Sequence, residues 1–171
     1  CFPVDRVLLE GPSADKFQWA LRAVSVAGDF IPGRCLGGKS INLVMRRVQN
    51  AIIARGYITT RILAKPQDLT RGELLLTVVP GRVRAIRYAD GSDGQRITLR
   101  NALPASPGDI LNLRDIEQGL ENLRRVPTAD ADIQIAPGDN AGESDLVIVR
   151  KQTLPLRVAF SLDDAGSKIG R

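Results

Sequence analysis

From Ile41 onward, apolar residues fall at Val44, Met45, Val48 and Ile52, while Asn42, Arg46 and Asn50 point the other way. That period predicts an amphipathic helix over Ile41–Arg55, with Ser40 as its N-cap and Gly56 free to close it in a left-handed turn. Ile58 to Ala64 then alternates. Ile58, Thr60 and Ile62 share one face and Thr59, Arg61 and Leu63 the other, the signature of a half-exposed strand. Pro66 to Gly72 reads as a turn, and Glu73 to Val79 as a buried strand stopped by Pro80-Gly81.

Upstream, Phe2 to Glu10 reads as one strand, and Ser13 as the cap of a helix Asp15–Ala27 with a Phe17, Ala20, Leu21, Val24 stripe. Trp19 lies off that stripe, as a rim residue. Shifting the chain by 70 positions lays Ile41-Asn42-Leu43 on Leu111-Asn112-Leu113, Arg55 on Arg125, Gly72-Glu73 on Gly142-Glu143 and Leu76–Val79 on Leu146–Val149. A fixed offset that matches helix, turn and strand together points to tandem small domains. The second copy reads as a strand Val83–Tyr88, a short helix Gln95–Leu103, a helix capped by Asn112, and strands at Ala131–Ala136 and Asp145–Lys151. Each copy is therefore β-α-α-β-β, an α+β class. Leu156 to Leu162 alternates cleanly after Pro155, either as the first strand of a membrane barrel or as an edge strand of the second domain.

Composition narrows the function. The 171 residues are 43% hydrophobic but only 4% aromatic, so the cores are aliphatic. A net charge of +5 favours acidic partners, yet no basic patch interleaves with aromatics, so nucleic-acid binding is not implied. No apolar run is long enough for a membrane-spanning helix. The chain starts without Met at Cys1, inside a strand pattern, and reads as an excised or processed piece. Cys1 and Cys35 are the only cysteines. They read either as a disulfide of an oxidising compartment, stabilising by about 3 to 4 kcal/mol, or as two unrelated thiols.

Catalytic chemistry finds little support. The chain has no histidine, which removes Ser-His and Cys-His nucleophile pairs and leaves zinc poorly supplied. Gly33-Arg34-Cys35-Leu36-Gly37-Gly38-Lys39-Ser40 fits the phosphate-loop pattern, which would make this a nucleotide-binding protein. However, no buried parallel strand precedes it and no run of β-α-β crossovers follows. Asp139 to Asp145 is a solvated acidic turn without calcium-loop spacing. Asp130 and Asp132 face no partner across a cleft.

Cys1-Phe2-Pro3-Val4, Gly33-Arg34-Cys35-Leu36, Ile41-Asn42-Leu43-Val44-Met45, Ala54-Arg55-Gly56-Tyr57-Ile58-Thr59-Thr60-Arg61, Pro66-Gln67-Asp68-Leu69 and Leu76 to Val83 resemble the two-partner secretion transporters. These are the outer-membrane proteins of the haemolysin, filamentous haemagglutinin and contact-dependent inhibition systems. The resemblance implies two tandem POTRA (polypeptide-transport-associated) domains, 1–81 and 82–152, each a three-stranded mixed sheet packed on two helices. Residues 153–171 would be a linker and the start of the first strand of a truncated outer-membrane β-barrel. The implied place is the periplasmic face of the outer membrane, with no cofactor and no enzymatic activity. The implied activity is recruitment of an unfolded secreted partner protein and its delivery to the barrel pore. An extended client would add to the edge strand Ile58, Thr59, Thr60, Arg61, Ile62 and Leu63, beside Arg46, Arg47 and Asn50. The second domain would act mainly as a spacer. The alternative within the same scaffold is docking of envelope or barrel-assembly factors.

Overall fold

The computed structural model describes residues 1–28, 30–89, 103–125 and 129–152. The expected helix Gln95–Leu103, save its last residue, and the barrel-like strand Leu156–Leu162 lie outside the described residues.

The first unit is built on a three-stranded sheet in the order β2 (Arg6–Glu10), β5 (Glu73–Val79), β4 (Arg61–Leu63). β2 runs parallel to β5 and β4 antiparallel to it. A 3-10 helix, Ala14–Leu21, runs straight into α1 (Arg22–Ala27), and α2 spans Gly38–Ala54. The stripes Phe17, Ala20, Val24 and Val44, Val48, Ile52 bury against Leu74, Leu76 and Val78 of β5 in one core. β5 is apolar because it is the central strand, buried by neighbours and helices alike.

Phe2–Glu10 is two strands rather than one. Chain direction breaks at Asp5, whose N–H donates to Gly72 O at 2.7 Å. β1 (Phe2–Val4) pairs antiparallel with β3 (Arg34–Leu36), forming a ribbon apart from the main sheet. Cys1 and Cys35 are joined by a disulfide, with their Cα atoms 5.4 Å apart. Val4 and Leu36, both buried, anchor the ribbon to the core.

Both expected serine caps fail. Ser13 adopts φ 60° and makes no cap bond; its Oγ accepts from Arg82 Nη2 at 2.8 Å. α2 starts at Gly38 behind Gly37, so Ser40 lies inside the first turn. Three of the eight residues of the phosphate-loop match form the strand β3, its Cys35 tied into the disulfide, and Gly38 to Ser40 already belong to α2, which leaves no free loop to wrap a nucleotide.

The second unit repeats the sheet as β6 (Arg82–Tyr88), β8 (Glu143–Gln152), β7 (Ala129–Pro137), again parallel and then antiparallel. Its described helix is α3 (Leu113–Arg124), capped as expected: Asn112 Oδ1 accepts from Arg114 N at 2.9 Å. The 70-residue offset holds for the helix ends and the last strands. It fails at the helix starts, because α3 is shorter than α2.

Asp145, 2% exposed, is held by Arg84 through Nε–Oδ1 at 2.8 Å and Nη2–Oδ2 at 2.6 Å, and by Arg87 at 3.4 Å. Arg84 also pairs with Asp139. The Arg84 hydrogen bonds hold the Asp145 carboxyl below its ordinary range. A depressed folded-state value means the stabilisation is whole above the unfolded carboxyl's pKa and lost as pH falls through the folded one. The urea midpoint is therefore expected to drop as pH goes below about 4. Asp145→Asn should be weaker at neutral pH and lose most of that dependence.

The two units meet through a dense junction. Leu113 N donates to Gly56 O at 2.8 Å and Leu111 N to Gly81 O at 2.7 Å. Asn112 Nδ2 donates to Arg55 O at 3.1 Å, and at the end of the first unit Gly81 N donates to Thr60 Oγ1 at 3.1 Å, fixing the residue that Leu111 binds.

Candidate functional site

The expected edge strand is shorter than its pattern. Only Arg61–Leu63 forms β4, with Arg61 opposite Val79 and Leu63 opposite Thr77. Ile58 and Thr59 form a turn before it. Ile58 packs instead with Val83, Leu111, Ile116 and Leu146 of the second unit, so its apolar side chain belongs to the junction. Thr60 is fully buried, its hydroxyl accepting from Gly81 N. Junction packing overrides the alternation at these three positions. Where the alternation persists, Ile62 is buried toward the helices and Leu63 is 46% exposed on the opposite face.

Along the helix, Asn42, Arg46, Gln49 and Ile53 recur at i, i+4, i+7 and i+11, which places them on one ridge. Arg46, Asn50 and Ile53 are exposed. The ridge faces β4, because Gln49 Nε2 donates to Thr60 O at 2.7 Å and Gln49 Oε1 accepts from Ile62 N at 2.8 Å. Asn50 sits one step round. Arg47, two residues before Gln49, projects to the far side of the helix by the same geometry. The structure thus sets Arg46 and Asn50 on the helix side of β4 and Thr59, Arg61 and Leu63 along the groove on the opposite face, with Ile62 buried between, Arg47 round the helix, and Ile58 and Thr60 taken into the junction.

Successive residues in a strand present backbone groups to alternate sides. The Thr60 carbonyl and Ile62 N–H therefore lie on the side of β4 away from β5. That rim is not bare: Gln49 already bonds both groups. Sequence reasoning missed Gln49 because a polar residue bordering an apolar stripe looks like an ordinary helix flank. A second glutamine works similarly. Gln67 Nε2 donates to Leu75 O and Gln67 Oε1 accepts from Leu75 N, both at 2.8 Å, covering β5 where β4 has ended. On the opposite face of the sheet, Arg61, Leu63 and Val79 line a groove with Pro137 and Gly142 of the second unit. Arg61 Nη1 also donates to Ile58 O at 3.1 Å.

β7, the corresponding edge of the second unit, is longer than β4. Its Ala131 carbonyl accepts from Arg124 Nε at 3.1 Å, and its Ile133 N–H donates to Asp132 Oδ1 at 2.9 Å. Among the described residues no cluster of potential metal ligands occurs and no helix is long and apolar enough to cross a membrane.

Residues 2–81 match the family model described as POTRA domain, ShlB-type, and residues 82–137 a second POTRA domain model. Outer membrane transporter CdiB-2 of Burkholderia pseudomallei is 41% identical over 98% of the chain and 30% of its own length. Hemolysin transporter protein ShlB of Serratia marcescens is 28% identical over 98% of the chain and 28% of its length. The solved structure of CdiB from Acinetobacter baumannii superposes with a TM-score of 0.79 at 30% identity, covering 90% of the chain and 30% of that structure. The chain thus spans about 30% of the length of the relatives it matches.

Proposed function

The chain belongs to the POTRA region of the ShlB- and CdiB-type outer-membrane transporters, and from that premise we propose that it is the polypeptide-receiving module of such a transporter. Residues 1–81 and 82–152 act as two POTRA domains at the periplasmic face of the outer membrane. Residues 153–171 lead into a barrel. The first domain takes up an unfolded, secreted partner protein by strand addition to β4, and the second holds it in line with the pore.

The observation that carries this reading is the position of β4: an edge strand flanked by a helix ridge bearing Arg46 and Ile53. Alternate side chains of an added strand would meet Ile53 on the helix face and Arg61 and Leu63 on the other. Apolar residues and carboxylates suit those positions.

The test is binding of the unfolded N-terminal region of the transporter's secreted partner. Reversing both charges, Arg46→Glu with Arg61→Glu, is expected to weaken it about tenfold at low salt, each exposed charge being worth up to about 1 kcal/mol. The difference should shrink as salt rises. Unchanged affinity would move the site elsewhere. The longer β7 edge favours a second reading, docking of envelope or barrel-assembly factors on the second domain. Capture of assembly chaperones without the secreted partner would select it.

A further inference from the structure

We propose that the Gln49 carboxamide is an exchangeable stand-in for the client strand, a guard that closes the β4 edge until a client displaces it. The inference rests on the reading of β4 as the client edge. A primary carboxamide carries the same donor and acceptor as a peptide group. Gln49 aims its donor at Thr60 O and its acceptor at Ile62 N, at 2.7 and 2.8 Å. Those are the two contacts that one residue of a parallel neighbour makes, donating to the carbonyl of residue i−1 and accepting from the N–H of residue i+1.

Gln67 shows the same chemistry on β5, where its partner strand has ended. The register that sets Leu63 against Thr77 would set Lys65 against Leu75, but the chain turns away at Pro66. From the loop after Pro66, Gln67 fills the missing contacts of β5. Gln49 differs because it reaches the edge of β4 from a helix. It is half-buried on a ridge whose neighbours Arg46 and Ile53 are exposed, so a rotamer change swings it clear of β4.

Two functional properties follow. An unguarded edge strand pairs with any extended chain, a second copy included, and the carboxamide suppresses this while the site is empty. An incoming client exchanges two hydrogen bonds for two, so the net gain from those positions is small. Binding stays reversible, as handing a chain on to a pore requires.

The test compares the native chain with Gln49→Met, which keeps the length and packing of the side chain but removes both polar atoms. The probe is a fluorescein-labelled peptide of alternating valine and glutamate, titrated at low salt. The methionine variant is expected to bind about tenfold more tightly, the scale on which freeing the two groups changes affinity. Gln49→Glu, which can still accept from Ile62 N but cannot donate to Thr60 O, should fall between. The Ile62 amide should exchange with solvent faster in Gln49→Met than in the native chain, and regain protection with peptide bound. Equal or weaker binding by the folded methionine variant, with native binding intact, overturns the guard and leaves the client site standing. A lowered unfolding midpoint with unchanged affinity does the same, marking Gln49 as a tether of α2. No binding by either form overturns the client site and the guard together.

Discussion

Replacing Gly81 with alanine is expected to cost about 3 kcal/mol and to split one unfolding transition into two. A Cβ at this position would lie 2.7 Å from the backbone carbonyl carbon of Thr59, and its clash with the Thr59 side chain is closer still. The neighbour that must give is backbone, which cannot rotate aside. Overpacking of this kind costs about 1 to 3 kcal/mol before any bond is lost. Here two bonds are at stake, Gly81 N to Thr60 Oγ1 and Leu111 N to Gly81 O, each worth about 1 kcal/mol net. The second crosses between the units and the first holds its acceptor residue in place, so the damage falls on coupling as well as stability. Trp19, the single tryptophan, reports on the first unit. Its indole N–H donates to Lys16 O at 2.8 Å, and the Arg55 guanidinium lies 3.8 Å from its ring centroid. Urea unfolding followed by Trp19 fluorescence and by far-ultraviolet circular dichroism should coincide in the native chain and separate in Gly81→Ala. Coincident transitions at an unchanged midpoint would show that the units are not coupled through this residue.

Phe17→Ala should be the most damaging single truncation, at about 4 kcal/mol. Phe17 is fully buried and meets Tyr57 edge-on, with ring centroids 5.1 Å apart and planes at 81°. It also bridges the 3-10 helix and the sheet, so its loss opens a cavity among Val24, Val48 and Ile52 that these stiff, branched side chains fill poorly. Small domains have about 5 to 15 kcal/mol in total, so little remains. Phe17→Leu, which keeps most of the volume, should retain the fold and lose about half as much. Equal midpoints for the two variants would deny Phe17 its central place in the core.

The elements legible in the sequence were those whose pattern and packing agree. α2 carried its stripe openly because Val44, Val48 and Ile52 are the residues that bury. Glu73–Val79 was legible because a central strand has little solvent side to interrupt it. Ile58–Ala64 misled for a tertiary reason. Thr60 turns its hydroxyl to Gly81 and Ile58 enters the next unit's core, so alternation continues past the point where strand pairing stops. Ser13 and Ser40 have cap chemistry without cap geometry: one sits at positive φ, the other a turn too late. Of the candidate residues, Arg46 and Asn50 lie on the exposed side of the helix and Arg61 and Leu63 on the far face of the sheet, where the periods of helix and strand put them. The guard was illegible because only the angle between α2 and β4 makes Gln49 a partner for backbone, and no local pattern encodes that angle.

In both three-stranded sheets the outer parallel strand comes first along the chain and its central partner last: Arg6 pairs with Glu73 and Arg82 with Glu143. Each sheet can therefore close only after most of its unit has been synthesised, because the strand that comes first must wait for the one that comes last. Until Val79 emerges, β2 has no central partner and the hydrophobic side of α2 has no sheet to cover it. A nascent chain of this kind is therefore expected to gain its sheet late, once its last strand has been made.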